Sequence, residues 1–154
     1  MFFFFFGSFR KTEINNKKLQ YIKTAPEVHL IYAFLQVGTI YRNYFPENIL
    51  YHPHTAENFN KHSKNAIFES AEKLSFVEGV KGADNLKFHD NLVLTKSGYS
   101  KSRWELPEIF KKLDISYHTI NSFKEDYFQS AAKGQEFVVN DGDKLIPWMT
   151  ELIK

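Results

Sequence analysis

The sequence predicts an α+β protein: a mixed, barrel-like β-sheet with short peripheral helices and a C-terminal helix. Three observations carry this. Met1 is followed by five phenylalanines, residues 2–6, an unbroken apolar run that suits a strand in the middle of a sheet. Val28 to Tyr41 (VHLIYAFLQVGTIY) is rich in β-branched and aromatic residues around one central Gly38. It predicts a long strand bent at the glycine, by a bulge or a barrel corner. Leu145, Trp148, Met149 and Leu152 recur at helical spacing, predicting a helix over 144–153 with Asp143 as its cap.

The remaining elements follow in order. Gly7-Ser8 breaks the first strand, and residues 12–18 are polar with a turn signal at Asn15-Asn16. Residues 19–23 alternate apolar with polar, as a half-buried strand does, so 2–10 and 18–23 are expected to form a hairpin with a polar tip. Ala25-Pro26 marks a boundary. Residues 43–64 are irregular and hold His52, His54 and His62; loops of that length are often functional. Short strands are expected at 66–70, 92–95 and 136–139, and a loop at 78–85. Residues 102–112 read as an extended lead into a short helix with Pro107 in its first turn. Asp141-Gly142-Asp143 turns the chain before the last helix. No repeat or linker interrupts residues 1–154, which predicts one domain.

Composition narrows the function. The chain has 154 residues and a formal net charge of +2, too mild by itself to indicate a nucleic-acid partner. Its aromatic share, 17%, is high and serves either a β core or stacking on bases. It has no cysteine, which excludes disulfides, thiolate zinc sites and cysteine nucleophiles. No apolar run approaches the roughly 20 residues of a membrane helix, and the phenylalanine run lacks the basic flank of a signal peptide. The expectation is a soluble, cytoplasmic protein with no membrane partner. Walker, GxGxxG, HExxH and GxSxG patterns are absent.

Three segments hold side chains suited to chemistry. In His52-Pro53-His54, proline keeps its neighbours extended, so the two imidazoles are expected on one side, placed for a metal, a phosphate or catalysis. His29, His62, His118 or Glu136 would complete a metal site. The plainer reading is two loop histidines capping backbone groups. In Ser102-Arg103-Trp104, the guanidinium offers a phosphate fork and the indole a stacking face. The plainer reading is a tryptophan anchor beside a solvated arginine. In Gly134-Gln135-Glu136, the amide suits a base edge and the carboxylate a general base, unless the segment simply opens a strand. Arg10 and His29 flank the two most apolar strands, either as surface residues or lining a pocket.

Taken in order, FFFFFGSFR (2–10), HLIYAFLQVG (29–38), YHPH (51–54), NAIFES (65–70), SRWELP (102–107), ISYH (115–118) and KGQEFVV (133–139) resemble the third of the nucleotide modification associated domain families. The resemblance implies a theme, modified bases in phage and bacterial DNA, rather than a reaction. It also implies further N-terminal sequence with a Ser-Arg-Lys-Gly-Phe-Asp type motif, so this chain reads as truncated. The strand pattern is similar to PUA and EVE barrels, which grip a flipped or modified base. The binding reading places a modified base between Trp104 and Tyr51, with Gln135 on its edge and Arg10, His29, Ser102 and Arg103 around it. The enzyme reading makes His52 and His54 catalytic and Glu136 the acid/base. The third reading is an inactive fragment with a structural role, folded only as a homodimer or with a lost partner segment. No cofactor follows from these residues.

Overall fold

The computed structural model describes residues 1–60, 64–140 and 142–153. In chain order its strands are β1 (Phe2–Phe9), β2 (Thr12–Asn15), β3 (Lys18–Tyr21), β4 (Val28–Tyr41), β5 (Ile67–Ser70), β6 (Ala83–Asn85), β7 (Arg103–Trp104), β8 (Phe128–Gln129) and β9 (Glu136–Val139). Its α-helices are α1 (Glu57–Asn60) and α2 (Ile146–Ile153). The fold is mixed, dominated by strands, with one longer helix at the C-terminus. The main sheet has the order β5-β4-β1-β9, with β6 on β4. That order ends in two edge strands and does not close into the expected barrel among the described residues. Two compact units divide the chain, Met1–Phe34 with Asp84–Lys154, and Leu35–Ala83.

In the first unit β1 lies between β4 and β9. Successive side chains of a strand point to opposite faces. Phe2, Phe4 and Phe6 are therefore buried, while Phe3 and Phe5 are half-buried on the other face. Phe4 sits opposite Phe137 in the β1–β9 register, their ring centroids 5.1 Å apart, and meets Trp148 of α2 edge-on at 5.3 Å. A short 3-10 turn, Gly142–Leu145, buries Leu145 and leads into α2, which buries Met149 and Leu152. The predicted helix thus begins as a 3-10 turn. Gly142 packs so closely on Phe2 that a Cβ there would lie 2.3 Å from its ring.

The expected hairpin forms with a different partner. β3 pairs with β2, not with β1, across a two-residue turn in which Asn16 (φ 50°) and Lys17 (φ 62°) are both left-handed. This is the backbone of a type I′ hairpin turn. Every residue of β2 and β3 is exposed, so the half-buried expectation fails over 19–21, while Ile22 just beyond β3 is half-buried. Residues 92–95 do not form a regular strand. A 3-10 turn, Asp90–Leu92, is followed by single bridges from Val93 to Leu30 and from Thr95 to Trp104. The loop expected at 78–85 contains β6. Pro107 precedes the 3-10 turn Glu108–Lys112 as its N-cap rather than entering it.

The second unit holds the C-terminal half of β4, which pairs with β5. The register shifts between Val37 and Thr39, placing an irregularity at Gly38, where the bend is predicted. A Cβ at Gly38 would lie 2.8 Å from the Ala71 backbone, so glycine permits that close approach. Ile49, Ile67 and Leu74 are buried here.

The alternation of β1 gives a testable asymmetry. Phe4→Ala empties a fully buried site and should cost about 3–5 kcal/mol. Phe5→Ala removes a half-buried ring and should cost markedly less. Denaturant unfolding of both variants checks this; equal losses would contradict it.

Candidate functional site

The first unit carries an open cleft of about 360 Å³ where β1 ends. Three segments build it. Phe9, Arg10 and Lys11 form one rim, Pro26 just before β4 and Val28 and Leu30 at its start line it, and Phe88, Asp90 and Val93 close the other side. The bridge between Leu30 and Val93 ties two of these segments together. Phe88 is 61% exposed, yet its segment is anchored on both sides. The Leu86 N–H donates to the Tyr32 carbonyl at 2.8 Å. The His89 Nε2–H donates to the Leu152 carbonyl of α2 at 3.0 Å, since a carbonyl oxygen only accepts. Phe9 is also exposed and meets Tyr32 edge-on at 6.2 Å. Two exposed rings, two cations and one carboxylate around an apolar lining suit a flat ligand bearing an anionic group.

Among the residues singled out by sequence, Arg10 lines this cleft. His29 and Trp104 lie instead in the core. Trp104 is 1% exposed, with Phe6, Phe137 and Phe128 around it at 4.9, 5.7 and 5.8 Å, so its indole has no open face for a base. Its Nε1–H donates to His29 Nδ1 at 3.1 Å, which leaves the neutral imidazole's proton on Nε2. The His29 N–H donates to Thr95 Oγ1 at 2.8 Å, and that hydroxyl donates to the Lys101 carbonyl at 2.8 Å.

Arg103 is exposed, with its guanidinium over the Tyr127 ring at 4.9 Å and near the Tyr99 ring at 5.8 Å. The neighbouring Asp126 accepts from the Tyr99 hydroxyl at 2.5 Å and pairs with Lys96 at 3.5 Å. The Tyr99 hydrogen bond, followed by Lys96, holds Asp126 below the usual carboxylate range; burial opposes them in part. Ser102 Oγ accepts from Gln129 Nε2 at 3.2 Å. Gln135 is exposed, and its carbonyl accepts from the Phe6 N–H at 2.9 Å. Glu136 is half-buried on β9, opposite Phe5.

Tyr51, His52 and His54 belong to the second unit. Pro53 opens a 3-10 turn, Pro53–Thr55, so the extended geometry expected around it holds at His52 and not at His54. The rings still approach to 5.3 Å, edge to face. His52 Nδ1 accepts from the His54 N–H at 3.2 Å, and the His54 ring stacks on Phe59 at 4.6 Å. Tyr51 is exposed. His62 lies outside the described residues, and among those described no three His, Asp or Glu side chains group as a metal site would require.

Sequence reasoning missed Phe88, Lys11 and Asp90. Lys11 adjoins Arg10 and was readable as a second cation. Phe88 stands alone between polar neighbours in Leu86-Lys87-Phe88-His89-Asp90, a pattern without periodicity; contacts distant in sequence place it.

Together the fold and the cleft define a strand-centred mixed protein that presents aromatic rings and cations at the end of its central strand. The chain belongs to the nucleotide modification associated domain 3 family, whose model matches residues 2–140. No curated protein and no solved structure matches it. The family connects the chain with nucleotide modification, and every residue of the cleft falls within the matched span. Among the described residues, no helix is long and apolar enough to cross a membrane.

Two histidines make stability depend on pH. Burial, and then the charge of Lys101, push the His29 imidazole below its ordinary value of 6.5, with Glu27 opposing; burial alone lowers His118. Each stays neutral in the fold at a pH where the unfolded chain takes up a proton. Their contribution is therefore full above about pH 6.5 and is lost as pH falls from there through the folded-state values. Melting temperature should decline on acidification across that window. NMR titration should place both midpoints below 6.5, and midpoints at or above it would contradict the burial argument.

Proposed function

We propose that this protein binds a nucleotide, or a base presented by nucleic acid, in the cleft at the end of β1. The base lies against Phe88 and Phe9, Arg10 and Lys11 take the phosphate, and Asp90 accepts from an exocyclic amino group. The observation that carries this is an exposed aromatic ring on an anchored segment, facing a rim of two cations. Base-on-aromatic stacking is worth about 1–3 kcal/mol, and an arginine fork matches the geometry of a phosphate. The family's connection with nucleotide modification supports a modified base as the ligand. Arg103, exposed and with its guanidinium near two tyrosine rings, would hold a more distant phosphate.

Titration calorimetry with deoxynucleoside monophosphates, plain and 5-substituted, tests the reading. Saturable binding is expected, tighter for the substituted base. Arg10→Gln should weaken it about tenfold or more, and Phe88→Ala by about fivefold to a hundredfold. Both side chains are exposed, so circular dichroism should be unchanged. Absence of saturable binding, or affinities indifferent to both substitutions, would defeat the reading.

A catalytic reading centres on His52 and His54 in the second unit and is favoured by their ring approach of 5.3 Å. It would show as turnover of a nucleotide that is lost in His52→Ala/His54→Ala.

A further inference from the structure

The β2–β3 hairpin has more exposed apolar surface and more uncompensated charge than the fold requires. Directly opposed residues of an antiparallel pair share a face. The pairs Thr12 with Tyr21 and Ile14 with Leu19 thus place Ile14, Leu19 and Tyr21 together on one face. These three are 78%, 72% and 65% exposed. The pairs Glu13 with Gln20 and Asn15 with Lys18 make the opposite face polar. An isolated two-stranded hairpin is marginal in water, and an apolar face this open gains from a partner.

Charge identifies the partner. Arg10, Lys11, Lys17, Lys18 and Lys23 run through and flank the hairpin, against the single carboxylate of Glu13. Glu13 accepts from Gln20 at 3.2 Å rather than from a lysine, and none of the five cations is in an ion pair among the described residues. Lys17 stands at φ 62°, a turn position that favours glycine, and so keeps a cation at the tip. The major groove of B-form DNA, about 12 Å wide, admits a two-stranded ribbon, and four strand residues reach about 13 Å. The deep, narrow major groove of duplex RNA does not admit one.

We propose that the β2–β3 hairpin is a duplex-DNA grip: its five cations contact backbone phosphates while Ile14, Leu19 and Tyr21 lie against the groove. This goes beyond the cleft reading and stands on different residues, apart from Arg10 and Lys11, which the two share. The hairpin leaves the cleft rim directly, so a duplex held there presents its strand to the cleft.

The test is fluorescence anisotropy of a labelled B-form duplex across a salt series. The intact chain should bind, with affinity falling steeply as salt rises. Lys17→Gln/Lys18→Gln should weaken binding alike for all duplex sequences and flatten the log–log salt slope by about 2, near 0.9 for each lost phosphate contact. Ile14→Ser/Leu19→Ser should weaken binding about fivefold or more with the slope kept. Both variants should keep the intact melting temperature and the intact affinity for a deoxynucleoside monophosphate, while Arg10→Gln lowers that affinity. Mononucleotide binding without duplex binding would overturn the grip and leave the cleft reading standing. Hairpin-dependent duplex binding without mononucleotide binding would do the reverse. Hairpin variants that bind duplex like the intact chain would overturn the grip, as would equal affinity for duplex RNA. A sedimenting dimer dissolved by Ile14→Ser/Leu19→Ser would assign the face to a second copy and overturn it too.

Discussion

The insertion of β1 between β4 and β9 is the constraint on which the first unit depends. A strand with neighbours on both sides satisfies its backbone groups in the sheet, so its side chains are free to be wholly apolar. Three phenylalanines then enter one face, each worth about 1.5–3 kcal/mol when fully buried. Their bulk dictates residues elsewhere. Phe2 occupies the space a Cβ at Gly142 would need, and the Phe6 ring would lie 2.7 Å from a Cβ at Gly134. Two glycines distant in sequence are thus tied to the same strand. Because β1 is held so firmly, its end is also fixed in space, and with it the rim of Phe9, Arg10 and Lys11.

A second consequence is the polar pair inside an aromatic core. His29 and Trp104 each bring a ring nitrogen where water does not reach, and each is the other's hydrogen-bond partner. A buried donor or acceptor left alone costs about 1–3 kcal/mol, so neither residue is replaceable independently of the other. This accounts for two side chains whose chemistry suggests ligand binding and whose position serves packing. The burial of His29 was not legible from β4, because His29, Leu30 and Ile31 are buried in succession. A strand covered on both faces has no alternation from which to read an inward side.

What was legible follows the strength of the local signal. The phenylalanine run, the bend at Gly38, the strand at 136–139 and the helical spacing of Leu145, Met149 and Leu152 all depend on neighbours in sequence, and all appear. The pairing of 18–23 depended on a choice between two arms. Closing a two-residue turn at Asn16-Lys17 costs less chain entropy than reaching back to β1, and β1 was already filled on both sides. At the candidate site, Arg10 was legible as a cation at a strand end. Phe88 was not, since a Leu152 carbonyl and a Tyr32 carbonyl place it, far away in sequence.

Net charge misleads here for a physical reason. A formal +2 over the chain describes its field at long range, whereas ions screen exposed charges beyond about 8 Å at physiological salt. What a ligand meets is therefore the local balance. Around Arg103 that balance is managed: Asp126 is occupied by Tyr99 and Lys96, so the guanidinium rests on tyrosine rings rather than on a carboxylate. Along the hairpin, five cations face one acid. Like charges set so close on a thin ribbon repel each other, and the repulsion is relieved when an anion settles among them. The cleft rim begins where that ribbon begins, so both draw on the same local potential, and a polyanion satisfies it better than a single phosphate does.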